Sequence, residues 1–224
     1  MTNRDTWDHY YKTLDNVWAW KESSDPFLAS QLRALRSRSS DARVLEVGCG
    51  DGRNVSTLCD FFPGRVWIQD ISVEAIRNLR DRLPPDVLSS CADIAVSTVY
   101  DLGYSAEYFD AVVATLFFDH LDNLDSALKE IVRVTKSSGV LIAQFSALDD
   151  DAFAISKPVS SDGRRRQLHG IPYVFFSKQD VMNLLSPHFS EIEIAPLVVV
   201  DPPHPGWREV EHTHSYWIVV AANQ

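Results

Sequence analysis

Apolar and polar positions along this chain follow two rhythms, one of about two residues and one of three to four, and the switches between them mark its elements. Near the start, Trp7, Tyr10, Tyr11, Leu14, Val17 and Trp18 recur at helical spacing, predicting an amphipathic helix whose apolar face must be covered. The run beginning Val44-Leu45-Glu46-Val47 reads as a buried strand. Val66-Trp67-Ile68 reads as a second strand, ending in Gln69-Asp70 before Ser72, which caps a helix with Ile76 and Leu79 on one face. Val87 to Ala92 is the expected third strand, with Asp93-Ile94 at its end, and Phe109 to Ala114 the fourth. Asn123 to Lys136 carries Leu124, Leu128, Ile131 and Val132 at helical spacing, and Val140 to Phe145 is the fifth strand.

The last third is less regular. Asp149 to Gly170 holds three consecutive acids, one serine pair and Arg164-Arg165-Arg166 without periodicity, predicting a long loop or an irregular insertion. Ser177-Lys178-Gln179-Asp180 opens a helix with Val181, Leu184 and Leu185 inward, in a capping arrangement. Phe189 to Val200 reads as strand six. In the final strand, period-two alternation puts Val210, His212, His214, Tyr216, Ile218 and Val220 on one face and Trp217, Val219 and Ala221 on the other. Strands alternating with helices predict an α/β, doubly wound sheet.

Between the first strand and its helix the sequence is Gly48-Cys49-Gly50-Asp51-Gly52-Arg53-Asn54. Glycines at alternate positions suit a sharp turn where the backbone needs angles that side chains forbid and must approach a ligand closely. A dinucleotide fingerprint is G-x-G-x-x-G, but position 53 is Arg, so a nicotinamide or flavin is disfavoured. Glu46 to Gly52 resembles motif I of the class I S-adenosylmethionine (SAM) dependent methyltransferases, and the likeness extends over residues 40 to 146. Thr115 to Leu121 resembles motif IV and the loop after it. The resemblance implies a seven-stranded, mostly parallel sheet with an antiparallel last strand. It also implies SAM as cofactor, held by Glu46, Gly48 and Gly50, with Asp70 accepting from the ribose hydroxyls and Asp93 from the adenine amino group. Ile71 and Ile94 are then the walls of the adenine slot, and Leu116 flanks the methionine part.

Composition narrows the setting. With 224 residues, 45% hydrophobic and 23% charged, the chain fits one soluble α/β core. It has no apolar stretch long enough to span a bilayer and no signal-peptide pattern at Met1 to Asp8, so no membrane and a cytoplasmic location are expected. Cys49, Cys59 and Cys91 show no metal-ligand spacing and read as reduced structural residues, with Cys91 placed in the third strand. A net charge of −10 argues against a nucleic-acid partner. The short Arg164–Arg166 run reads first as a solvated loop and second as a contact for an anionic substrate.

Ligands of such a sheet bind at the carboxyl ends of its strands. Residues 1–40 are expected to form a helical lid contributing Tyr11 and Trp20, ahead of a SAM-binding domain over residues 41–224. Candidate catalytic residues are His120, beside Asp119 after strand four, and His212 and His214, which an antiparallel last strand would bring to the pocket mouth; His204 lies just before them. His-x-His on one strand can hold a transition metal, but no second well-spaced pair accompanies it and no metal is assigned. The expected reaction is in-line methyl transfer to an N, O or S nucleophile of a small-molecule acceptor, since the string from Gly48 to Asn54 and the aromatic N-terminus look similar to tellurite, thiopurine and natural-product methyltransferases. A protein methyltransferase, with a lysine or N-terminal amine as acceptor, and a non-catalytic SAM-binding subunit are the alternatives.

Overall fold

In the computed structural model the described residues are 3–13, 26–203 and 208–223; Trp20 and His204 lie outside them. Helices α1 (Asn3–Thr13) and α2 (Pro26–Arg38) precede a sheet whose first five strands are β1 (Val44–Val47), β2 (Val66–Asp70), β3 (Asp93–Val96), β4 (Phe109–Ala114) and β5 (Thr135–Ser146). Helices α3 (Val55–Phe61), α4 (Val73–Arg82), α5 (Pro85–Ser90) and α6 (Leu124–Val134) connect them. The chain continues through α7 (Asp151–Ile155), the short strands β6 (Lys157–Pro158), β7 (Arg165–Leu168) and β8 (Ile171–Val174), helix α8 (Lys178–Leu185), and the long strands β9 (Phe189–Asp201) and β10 (His212–Asn223).

The large sheet has the order β3-β2-β1-β4-β5-β10-β9. The first five strands pair in parallel, while β10 runs antiparallel to both β5 and β9. All four residues of β1 are buried, because helices cover both faces of a central parallel strand. One core, with Leu45, Phe109, Leu128, Ile131 and Phe145, fills one side. A second, with Leu28, Leu32, Leu58, Phe62, Ile68 and Leu79, fills the other. Order reverses between β1 and β4, and a ligand crevice opens at such a switch point.

Local signals hold where capping chemistry is explicit. Ser72 Oγ accepts from Ala75 N–H at the start of α4, and Ser177 and Asp180 form the full capping box of α8. Two expectations need correction. Val87 to Ala92 is not strand three: Pro85 at the first helical position starts α5, and β3 begins only at Asp93. Cys91 therefore ends α5 instead of sitting in a strand, with its Sγ 3.5 Å from Cys59 Sγ. Asp149 to Gly170 is not a loop but α7 and most of a three-stranded antiparallel sheet. His169 and Gly170, both with positive φ, make the tight β7–β8 turn.

The arginine run is held by the fold. Arg164 pairs with Asp180 at 2.9 Å and Arg165 with Asp122 at 3.0 Å. Arg166 donates to the Ser156 hydroxyl and carbonyl and lies over the Phe153 ring. No described helix is long and apolar enough to cross a membrane.

Candidate functional site

At the switch point the backbone of the glycine turn is left-handed: Gly48, Gly50 and Gly52 have φ of 68°, 56° and 94°. A side chain at Gly48 would collide with the Phe117 ring, and one at Gly50 would meet the Tyr11 hydroxyl at 2.5 Å. Both contacts are with the ends of side chains that can turn aside, so the bare backbone of the turn is a cradle over which α1 and the β4 loop close.

Beneath that cradle lie two buried acids. Asp70, at the end of β2, accepts from Gly50 N–H at 2.9 Å and from Ser72 N–H at 2.8 Å. Burial, the largest influence, pushes its pKa up to about 6 against these bonds. Glu46 accepts at Oε1 from Asn54 Nδ2 at 2.8 Å, and Asn54 also reaches Thr115 Oγ1 at 2.9 Å. Its Oε2 is buried with no hydrogen-bond partner among the described residues, and burial drives the Glu46 pKa up to about 8. A ligand carrying several hydroxyl and ammonium donors would answer these acceptors, and a SAM-type nucleoside amino acid carries both.

Two adjoining cavities open there. The smaller, about 70 Å3, is lined by Gly48, Asp70, Ile71, Ser97, Thr98 and Tyr100 among others. The larger, about 460 Å3, has α1 and β8 aromatics (Trp7, Tyr10, Tyr11, Tyr173) as walls and Gln144, Ser146, Asp119, Asp150, His214 and Tyr216 in its polar lining, together with the charged Arg53, Asp201 and Arg208. Trp7, Tyr11, Leu116 and His120 line both. Leu116 has a φ of 52°, a strained angle for leucine, just past the end of β4.

The polar groups of the larger cavity are firmly placed. Asp119 accepts from Ser146 N–H at 2.9 Å and Ser146 Oγ at 2.7 Å, and burial raises its pKa to about 7. His120 packs edge-on against Trp7 and Tyr173, tying α1 and the small sheet to the site. Its Nδ1 donates to the Pro172 carbonyl at 2.8 Å, and burial lowers its pKa to about 4, so the ring is neutral at neutral pH.

Most of the expected site residues meet here: Gly48, Asp70, Ile71, Leu116, Tyr11, Asp119, His120 and His214 line the cavities. Gly50 and Glu46 support them from the turn and from below, and His212 stands beside His214 with its Nε2 at 3.1 Å. Asp93 and Ile94 do not arrive. Asp93 opens β3 opposite Trp67, whereas Asp70 pairs with Val96. Three residues of strand separate the two ends, roughly 10 Å. Ser97 and Thr98 occupy the ligand edge instead, next to Asp70 and Ile71. Gln144, Ser146, Asp150 and Tyr173 went unread in the sequence; for Ser146 the signal was available, since it ends strand five at the ligand edge.

A family model described as a methyltransferase domain matches residues 45–143. The chain is 26% identical over 171 residues to methyltransferase GfsG of Streptomyces halstedii, covering 70% of this chain and 62% of that protein. It is 32% identical over 92 residues to the ubiquinone/menaquinone biosynthesis C-methyltransferase UbiE of Hydrogenovibrio crunogenus, covering 41% of this chain and 36% of that one. The chain thus spans about a third to under two thirds of the length of these relatives. Among solved structures, the PH0226 protein of Pyrococcus horikoshii superposes with a TM-score of 0.68 at 22% identity, covering 96% of this chain and 99% of that one. Residues 45–143 thus match a methyltransferase domain, on a sheet whose order and direction are those expected of the class I SAM-dependent fold.

Proposed function

We propose that this chain transfers the methyl group of SAM to an N, O or S nucleophile of a small-molecule acceptor held in the 460 Å3 cavity. The observation that carries the reading is the adjacency of that cavity to the glycine cradle through Trp7, Tyr11, Leu116 and His120. Its size suits a compact ligand, and its mixed aromatic and polar lining suits one with few polar groups. UbiE, by its name a C-methyltransferase of quinone biosynthesis, also acts on a small molecule.

SAM supplies an activated sulfonium methyl, so the protein's own task is alignment and exclusion of water. Positioning of this kind accounts for up to about 7–11 kcal/mol in favourable cases. With SAM bound, Asp70 would hold the ribose, with Ser97 and Thr98 at the adenine end in place of an acid. Glu46 Oε2, buried with no hydrogen-bond partner among the described residues, would answer the ammonium end, and Leu116 would flank the sulfur. His120, neutral and clamped by Trp7 and Tyr173, orients the acceptor instead of storing a proton, since a group with a pKa of about 4 is a poor base at neutral pH. His214 and Asp119 border the acceptor from the other side.

Of the expected lid at residues 1–40, helix α1 acts as the lid, whereas α2, with Leu28, Leu32 and Leu35 buried in the core, belongs to the body of the domain at 41–224. Asp8 of α1 accepts from Ser72 Oγ at 2.7 Å and Glu74 N–H at 3.2 Å, and Asn78 Nδ2 donates to the Tyr11 carbonyl at 2.9 Å. No residue of α1 is fully buried, so the helix can leave without opening a core. The smaller cavity is too small for a nucleoside while Tyr11 and Phe117 cover the glycines. Those two side chains must therefore turn aside as the cofactor enters.

The test is transfer of label from methyl-tritiated SAM to panels of small phenols, thiols, amines and heterocycles, with protein substrates as a separate arm. Label in a small molecule with matching S-adenosylhomocysteine supports the reading. Label only in protein would move the assignment to a protein methyltransferase, and binding without transfer to any acceptor would leave a SAM-binding subunit.

A further inference from the structure

At the end of the last strand pair where the chain passes from β9 to β10, two imidazoles and a carboxylate converge. His212 and His214 are two residues apart on β10, and the register sets Asp201 of β9 directly opposite His212. His212 Nε2 lies 3.1 Å from His214 Nε2, and His214 Nε2 lies 3.8 Å from Asp201 Oδ2. One ligand-type atom from each of the three falls within 4.8 Å of the others.

The other ring nitrogens are already committed. His212 Nδ1 is 2.9 Å from the Val210 carbonyl, and His214 Nδ1 is 3.1 Å from Asp150 Oδ2. Asp150 also accepts from the N–H groups of Ala152 and Ser215, as a carboxylate does. A carbonyl and a carboxylate only accept, so each Nδ1 carries its proton and each Nε2 turns a lone pair toward the other. Lone pairs held 3.1 Å apart repel unless a proton or a cation lies between them.

Three features favour the cation. Two imidazole nitrogens bound at about 2.0–2.1 Å to a tetrahedral ion sit about 3.3 Å apart, close to what is observed. Donation of the remote ring nitrogen to a carboxylate or carbonyl is the way ligating histidines are usually oriented. Around them, the carboxylates of Asp150, Asp151 and Asp201 supply negative charge, with the Arg208 guanidinium 4.0 Å from Asp151 and Arg53 lining the same cavity.

We propose that His212 Nε2, His214 Nε2 and Asp201 Oδ2 bind a divalent transition-metal cation of the zinc or cobalt type. Asp201 and His214 line the 460 Å3 cavity, so the remaining coordination position opens into it. If the chain methylates an acceptor there, as proposed above, that position takes an oxygen of the acceptor and fixes its orientation. Spacing along the chain offers only the His-x-His pair; the third ligand arrives by cross-strand pairing.

The experiment is a cobalt(II) titration of the full chain, prepared without a polyhistidine tag and stripped with chelator, followed by visible d–d absorption and by displacement with zinc. No cofactor or acceptor is present, so the outcome is independent of methyl transfer. One equivalent should bind with the strong bands of a low-coordinate site. His214→Gln and Asp201→Asn should each weaken binding at least tenfold while melting near the wild-type temperature. Asp150→Asn, which removes a positioning carboxylate, should weaken it by about 10–100-fold. A wild-type chain that takes up no cobalt, or a His214→Gln variant that binds it as tightly as wild type, overturns the proposal.

Discussion

Replacing Asp70 by Asn separates what the acid costs the fold from what it gives the ligand. Asp70 is 8% exposed and its pKa rises from an ordinary 3.8 to about 6. Holding the charge there at neutral pH therefore costs about 3 kcal/mol. Because the folded value lies above the unfolded one, the stability this group contributes is complete below the ordinary value and is lost as pH rises through about 6. Asn removes the charge but turns an amide NH2 toward either Gly50 N–H or Ser72 N–H, forfeiting about 1–3 kcal/mol. The variant should fold as well as wild type or up to about 2 kcal/mol better, a rise of up to about 8 °C in Tm. Affinity should move the other way. Losing one charge-assisted bond to a ribose hydroxyl, about 1.5–3 kcal/mol, weakens S-adenosylhomocysteine binding roughly 10–150-fold. Thermal melts and calorimetry on the same preparation read both. Unchanged affinity would refute the ribose assignment, and a large fall in Tm would refute the burial argument.

Three further outcomes follow from the same geometry. Gly50→Ala forces a left-handed angle on alanine and drives its Cβ against the Tyr11 hydroxyl; it should destabilise by about 1–3 kcal/mol and raise hydrogen exchange in residues 3–13, and normal protection of α1 would count against the contact. Asp8→Ala removes both bonds from α1 to the start of α4, so bound S-adenosylhomocysteine should dissociate several-fold faster with little change in Tm; an unchanged off-rate in stopped flow would remove α1 from the role of lid. Glu46 and Asp119, raised by burial to about 8 and about 7, contribute stability that is complete below their ordinary range and lost as pH rises through those values. Urea unfolding should accordingly show stability falling between about pH 4 and 8, with a shallower fall in Glu46→Gln; a flat wild-type profile would contradict this.

The parts of the fold that were legible are those in which one stretch of chain carries its whole reason. Strands β1, β2 and β4 are buried on both faces and show as apolar runs, and the glycine turn declares its left-handed backbone by composition. Strand β3 sits at a sheet edge, four residues long and half exposed, while the more apolar Val87-Leu88 belongs to α5. Hydrophobicity alone chose the wrong segment, although Pro85 marked a helix start. The error carried Asp93 and Ile94 to the ligand edge, where Ser97 and Thr98 stand instead. The β7–β8 hairpin was hidden because its arginines and polar residues satisfy one another and a small core instead of showing alternation. His169-Gly170 was its one local mark. Of the larger cavity, the histidines and Asp119 were visible by residue type. Gln144, Asp150 and Asp201 gain their meaning only from β5, α7 and β9 meeting β10.

The most direct test of the account is the structure of the chain crystallised with S-adenosylhomocysteine. Both ribose hydroxyls should rest on Asp70, the adenine should lie beside Ile71 and Ser97 without touching Asp93, and the sulfur should face the cavity bordered by His120, Asp119 and His214. Tyr11 and Phe117 should have swung off Gly50 and Gly48. A ligand bound away from the glycine turn, or a sulfur directed away from that cavity, would contradict the account.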